Sequence, residues 1–264
     1  MVSISGSKKL KRQMAPLFWG IARKDKRFVI TTKPGPHKKS FSIPTAVFLR
    51  DMLKIVSSLR EAKAAIYSGK VKIDGVVRKS LHHSIGLMDV VELENVSDIY
   101  RLVPTEGKIL KPIKINDSEK SKKLVRVSTK TTINKGKMQI GFHDGRSIIT
   151  DTKVSVGDTC LIQIPEGKIL EVIKLETGSH GLVTRGANSG QVGKIETIEE
   201  GTFILPKRII LALGERKIEI PADIIMPIGK EEPIIQIKWS YVSNNTKRNE
   251  KHFTWQSGSK HGFR

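Results

Sequence analysis

Lys8, Lys9, Lys11 and Arg12 place four cations within five positions near the start of the chain. Side chains of this type at this spacing do electrostatics, not bond-making. They neutralise a polyanion, and on nucleic acid the release of condensed counterions drives the binding. Arg23, Lys24, Lys33, Lys38 and Lys39 continue the series, with His37 beside the last pair. The first forty residues hold eleven Lys or Arg and one acid, Asp25. The whole chain has 47 Lys and Arg against 26 Asp and Glu, a formal net charge of +21. Phe18, Trp19 and Phe28 are interleaved with the arm's charges, where aromatic faces can stack on bases. Such a charge block repels itself, and Pro16, Pro34 and Pro36 keep its path extended. Residues 1–40 are therefore expected to be disordered alone and ordered on RNA. An anionic membrane would call for an amphipathic helix, and the arm has none.

Groups that could do bond chemistry are dispersed. Asp144, Asp151 and Asp158 lie seven residues apart, which places them in turns and not in one pocket. His82 and His83 are adjacent and lack ligand spacing. A single cysteine, Cys160, excludes a disulfide framework within the chain and a cysteine-based zinc cluster. There is no Gly-rich phosphate loop and no triad-like set. The expectation is no catalytic residue, no metal and no cofactor. An apolar leader region is absent from the N-terminus. No apolar run approaches a membrane span, Ile209–Leu213 being among the longest. These features predict a cytoplasmic protein with no membrane partner.

Positioning elements follow the arm. Residues 44–53 read as a helix, with Ser42 as N-cap and Pro44 in the first turn. Ser58-Leu59-Arg60-Glu61 has capping-box spacing, so a second helix begins there and stops at Gly69. Its free N–H groups offer a phosphate site. Val71–Val77 alternates on both sides of Asp74-Gly75, a hairpin signal, and another strand follows near Val90–Leu93. This framework pairs Arg50 with Lys54 and Arg60 with Lys63 on helical faces, and Lys70 with Lys72 on one strand face. Arg78 and Lys79 follow the hairpin.

From about residue 105 the pattern becomes β. Short runs at 123–132, 138–142, 147–151, 159–164 and 168–175 are separated by turn residues, and another set spans 179–228. Within it, Gly186, Gly190 and Gly193 sit between apolar strands and need backbone freedom. Arg185, Asn188 and Lys194 surround them and are candidate RNA contacts. After Trp239 the chain turns polar, and the tail is expected to be disordered.

Residues 41–104 resemble the alpha-L RNA-binding module. The resemblance rests on Phe48-Leu49-Arg50, on Gly69 through Arg78, and on Met88-Asp89-Val90-Val91. Leu182–Ile195 resembles the KOW motif, a strand–loop–strand piece of an SH3-like barrel. In this order, with Lys11-Arg12, Ala15-Pro16 and Trp19 in the arm and Gly35-Pro36-His37-Lys38 after it, the chain resembles the archaeal and eukaryotic small-subunit ribosomal protein family S-four-e over roughly residues 5–238. Two positions depart from the family pattern. Gln191 stands where a basic residue is usual after Gly190, and Arg185 where a Gly is frequent.

The resemblance implies an α+β, multi-domain chain. A basic arm (1–40) leads into an alpha-L module (41–104), a central β domain (105–175), a KOW or SH3-like barrel (176–240) and a polar basic tail (241–264). It also implies a non-catalytic partner of small-subunit ribosomal RNA, beside neighbouring ribosomal proteins and with no homo-oligomer. The alternatives are an RNA-modifying enzyme, or another RNA-binding protein of translation or transcription. The first would need a large catalytic domain where this chain has short strands.

Overall fold

Three five-stranded antiparallel sheets organise the protein, seen in a computed structural model that describes residues 9–22, 24–25, 27–94, 96–106, 108–133, 136–214, 216–230 and 233–235. Before the first sheet, β1 (Lys9–Lys11) pairs with β2 (Phe28–Ile30), and β3 (Ile43–Pro44) leads into α1 (Thr45–Val47). Sheet I then combines β4 (Val71–Ile73), β5 (Val76–Val77), β7 (Val90–Leu93), β8 (Ile99–Thr105) and β9 (Lys108–Ile115) in the order β5-β4-β7-β8-β9. The short strand β6 (Ser84–Ile85) pairs with β3 instead. Because β9 pairs with β8 along its length, sheet I runs past residue 104 to Ile115.

Sheet II has the order β12-β11-β10-β13-β14, built from β10 (Lys122–Thr132), β11 (Met138–Phe142), β12 (Ser147–Ile149), β13 (Thr159–Gln163) and β14 (Lys168–Ile173). Sheet III has the order β18-β17-β16-β15-β19, built from β15 (His180–Val183), β16 (Val192–Glu199), β17 (Arg208–Leu213), β18 (Arg216–Pro221) and β19 (Ile225–Gly229). Most predicted strands therefore appear within two residues of their expected bounds. No described helix is long and apolar enough to cross a membrane.

The helical pair differs from expectation at its first member. Ser42 is not an N-cap: it is buried and its hydroxyl has no hydrogen-bond partner. The residue before a proline is pushed to extended backbone, so Ile43-Pro44 forms β3 and the helix starts at Thr45. It continues as a π-helical turn over Phe48–Met52, closed by Leu53 N–H donating to the Phe48 carbonyl at 2.9 Å. The second helix, α2 (Leu59–Tyr67), starts where the capping box predicts. The β4–β5 turn also forms as expected: Asp74 and Gly75 have φ of +51° and +75°, the pair of positive angles a type I′ turn needs.

The arm is part of the core. Ala15, Trp19, Ile21 and Val29 pack with Ile43, Phe48 and Leu49, Ala62 and Ile66 of α2, and Val71 and Val91 of sheet I. Trp19 is wholly buried and its indole N–H donates to the Ser42 carbonyl at 2.8 Å. Burial of a side chain this large stabilises by at least about 2 kcal/mol. That offsets charge repulsion in the arm, so the expectation of an arm without a core does not hold for its described residues. A second core joins the far side of sheet I (Val90, Ile99, Ile115) to sheet II (Val125, Ile140, Cys160). A third joins Met88 and Val103 to Leu124 and Leu161 and to Leu182, Met226 and Ile228 of sheet III.

Candidate nucleic-acid interface

The turn between α2 and β4 collects cations. Gly69 ends the helix at φ +85°, and Lys70 begins the chain's descent into sheet I. Lys72 projects from β4, Lys70 from the position before it and Lys79 from the segment after β5, all exposed. They line one open cleft of about 450 Å³ with Ser68, Gly69, Val77 and Glu92-Leu93-Glu94. Arg78 is exposed beside it, and Arg60 and Lys63 are exposed on α2. The Lys63 ammonium lies 5.7 Å from the centre of the Tyr67 ring. Ammonium groups gathered in an open cleft can follow a phosphate backbone as point charges. Lys11, Lys24, Lys33, Lys38, Lys39, Lys54 and Lys194 are also exposed, but lie elsewhere on the surface. Lys8 and Arg23 lie outside the described residues, as does the Lys9 side chain.

Five expected contacts are used internally. Arg12 is buried, its Nε donating to the Ile21 carbonyl at 3.0 Å and its Nη2 to the same oxygen. Trp19 cannot offer a face to a base from inside the core. His37 is buried against the Asp89 carboxylate, with its Nε2 3.0 Å from Oδ2. Arg50 grips Asp51 through two hydrogen bonds, at 3.0 and 2.6 Å. The N-terminus of α2 is not open to phosphate either. Ser58 Oγ accepts the Glu61 N–H at 3.2 Å, and the Glu61 carboxylate accepts the backbone N–H groups of Ser57 and Ser58. Those hydrogen bonds, led by the one from Ser57, hold the Glu61 carboxyl below its usual range. The helix carries its own anion where a ligand would sit.

The glycine-rich loop after β15 docks on the protein. Gly190 has φ +82°, and a Cβ there would lie 2.6 Å from the Thr105 Cα. The loop thus lies against the end of β8, at a distance only glycine permits. Gln191 Nε2 donates to Glu106 at 2.9 Å, which gives the departure at this position a local partner. The Arg185 guanidinium stacks over the Phe41 ring at 4.9 Å and ties the loop to the arm's end. Asn188 is half-buried, its carbonyl accepting the Gln191 N–H at 3.2 Å.

Comparison with known proteins gives this geometry a lineage. Residues 96–169 match Ribosomal family S4e, and residues 5–40 match the RS4NT (NUC023) domain. The small ribosomal subunit protein eS4 of Staphylothermus marinus is 36% identical over 249 residues, covering 90% of this chain and 98% of its own. That of Desulfurococcus amylolyticus is 38% identical over the same shares. The crystal structure of the 30S ribosomal protein S4e from Thermoplasma acidophilum superposes with a TM-score of 0.62 at 32% identity, covering 72% of this chain and 95% of that one. The chain belongs to the S4e family.

This S4e chain also contains a charge cluster that sequence reasoning missed. Lys123, on β10, has a side chain with no exposed surface. Its Nζ lies 2.7 Å from Asp74, 2.6 Å from Asp89 and 3.2 Å from Asp144. Arg146 adds a second cation, 2.8 Å from Asp74 and 3.4 Å from Asp144. Backbone donors complete the carboxylates: Val90 N–H to Asp74 at 3.0 Å, Gly86 N–H to Asp89 at 2.8 Å and Arg146 N–H to Asp144 at 3.1 Å. The cluster joins the arm through His37, sheet I through Asp74 and Asp89, and sheet II through Lys123 and Asp144.

Burial opposes these charges: at Asp74 it prevails and raises the carboxyl despite Lys123, while at Asp89, Asp144 and Lys123 pairing prevails. Burial pushes Asp89 up, yet His37 and Lys123 hold it well below the carboxylate range. Asp144 is likewise lowered against burial, chiefly by Lys123. Lys123 is raised despite burial by Asp89, Asp74 and Asp144. Asp144 and Asp158 are in turns as the spacing implied, but both are buried and structural. Asp158 accepts backbone N–H groups from Ser155 and Leu175 at 2.8 and 2.9 Å. Asp151 is exposed. The sequence signal for the cluster was slight: a lysine opening the buried run Leu124-Val125.

Proposed function

We propose that this S4e chain is a structural, non-catalytic constituent of the small ribosomal subunit and binds its ribosomal RNA. The observation that carries this is the match to relatives named small ribosomal subunit protein eS4 across 90% of the chain. The cationic cleft of Lys70, Lys72 and Lys79 supports the RNA contact, with Lys63 and Arg60 extending its surface along α2. In this reading α1, α2 and sheet I act as an alpha-L module, the first to meet RNA. Sheet III acts as a KOW barrel whose glycine loop serves chiefly to fasten the barrel to the module. Exposed arm lysines add phosphate contacts from a path fixed by Trp19 and Arg12. The carboxylates closest to a catalytic constellation are paired in the interior with Lys123 and Arg146, as a structural role requires.

The test is RNA affinity against salt. Each phosphate neutralised contributes a slope of about −0.7 to −0.9 in log K against log salt. The triple variant K70A/K72A/K79A is expected to reduce the slope by about two to three, and to lower affinity uniformly across RNA sequences. A flat salt response of the wild type, or its absence from small subunits on sedimentation, would reject the proposal.

A further inference from the structure

The end of the β16–β17 hairpin carries the two most exposed large apolar side chains among the described residues. Phe203 is 107% exposed, Ile204 86% and Leu205 49%. Three large apolar side chains stand in solvent on a protein whose surface is otherwise rich in lysine. They are held there by a built turn. Thr202 N–H donates to the Leu205 carbonyl at 2.9 Å, and Leu205 N–H donates to Thr202 Oγ1 at 3.2 Å. At the neck, a Cβ on Gly201 would come within 2.7 Å of the Lys207 backbone nitrogen. The two strands therefore close tightly beneath the tip, and the tip is presented in one shape.

The charges around it differ from those of the chain as a whole. Glu199, Glu200, Lys207 and Arg208 flank the tip in sequence, and Glu219 lies on the neighbouring β18. Both cations are engaged: Lys207 Nζ lies 2.7 Å from Glu200, and Arg208 is paired with Glu219. In a chain of formal charge +21, these residues carry one more carboxylate than cation, and both cations are paired. Nucleic acid is drawn to the opposite arrangement. A rigid apolar anchor with a polar rim matches what proteins recognise in one another.

We infer that Phe203-Ile204-Leu205 docks into an apolar pocket, rimmed by basic residues, on a neighbouring protein of the small subunit. The inference rests on the small-subunit reading above. The tip inserts as an anchor, and the pocket's rim meets Glu199. Because the turn is already set, little backbone freedom is lost on docking.

The test places the photoreactive residue p-benzoylphenylalanine at position 203 in purified small subunits, followed by irradiation and mass spectrometry. The expected product is a cross-link to a peptide of another ribosomal protein. A cross-link to an RNA nucleotide or to a second copy of this chain, or none at all, would overturn the inference. The double variant F203S/I204S is read alongside. Its folding and its affinity for free ribosomal RNA are expected to stay within about twofold of wild type, while its retention in subunits through a salt wash falls about tenfold, as loss of an anchor worth more than about 1.4 kcal/mol implies. An equal fall in free-RNA affinity would make the tip an RNA contact and sink the inference. Failure of the wild-type chain itself to enter subunits would instead sink the reading on which it rests.

Discussion

Replacing Lys123 with Met leaves three buried carboxylates facing one another. Arg146 remains beside Asp74 and Asp144, but its side chain is 28% exposed, and its reach is already shared between the two. His37 remains on Asp89. Removing one partner of a buried ion pair costs about 3–5 kcal/mol, because the stranded charge keeps its desolvation penalty. Against a typical total of about 5–15 kcal/mol, K123M should be severely destabilised. Urea denaturation followed by far-UV circular dichroism measures this directly. The pH dependence supplies a second, signed test. In the wild type Asp89 and Asp144 have lowered pKa values, so their stabilisation is present above the ordinary carboxylate value of 3.8 and is lost as pH falls through the folded values. Without the ammonium, burial dominates and the folded pKa values rise. The variant's penalty is then present at neutral pH and relieved on acidification. The gap between K123M and wild type should shrink from pH 7 towards pH ~4, and D89N added to K123M should recover part of it. A K123M protein within about 1 kcal/mol of wild type at pH 7 would refute the argument from stranded charge, as would a gap that does not change with pH.

Two further outcomes follow from local geometry. Gly75→Val puts a β-branched residue at φ +75°, where a Cβ also meets Pro165 at 3.3 Å; denaturant unfolding should show a loss of about 1–3 kcal/mol with weaker RNA binding, and unchanged values would mean the turn tolerates another geometry. His143 accepts the Arg126 N–H on Nδ1 and faces Lys123, Asp144 and His37, with its pKa pushed down to about 4 first by burial and then by Lys123. The unfolded chain then takes up that proton first, so stability should fall as pH drops from about 6.5 to about 4, by roughly 2–3 kcal/mol. His83, lowered chiefly by burial, pushes the same way. Thermal melts across that window should show a flatter slope in His143→Gln.

Local signals in the sequence were reliable where the physics is local, apart from Ser42, whose N-cap role the extended Ile43-Pro44 pair pre-empts. The capping box at Ser58 and Glu61, the Asp74-Gly75 turn and the strands around Cys160 are settled by neighbours within a few residues, and all are present. Signals that depend on distant partners were not legible. A lysine at position 123 looks like a surface residue until Asp74, 49 positions away, and Asp89, 34 away, are brought to it. The arm's cations look alike in sequence, yet Arg12 turns inward to the Ile21 carbonyl while Lys11 stays in solvent. A tryptophan among lysines fits base stacking and core packing equally well; only the hollow between α2 and Ile43 decides. The glycine loop was legible as a need for backbone freedom, but not the neighbour that imposes the need.

These distant contacts explain how a chain so rich in lysine can recognise a shape instead of merely adhering to charge. A polybasic segment neutralises phosphates wherever they lie and gains no preference among folded RNAs. Preference requires cations at fixed separations, and so a frame that resists deformation. Here the cleft's cations stay outside and the fasteners lie within. Lys123 binds sheet I to sheet II through three carboxylates, Trp19 and Arg12 bind the arm to α2 and its own backbone, and Gly190 with Arg185 binds sheet III to β8 and to Phe41. All but Arg12, whose acceptor Ile21 is nine residues on, join elements more than twenty residues apart. Buried charges are weak contributors to net stability, since hydrophobic replacements often do as well. Their geometry is demanding, however: three carboxylates accept one ammonium in only one register of β10 against the Asp74 turn. A slipped sheet would strand all of them at once. The cluster thereby penalises wrong packings more than it favours the right one, and the lysines of the cleft inherit fixed positions from it.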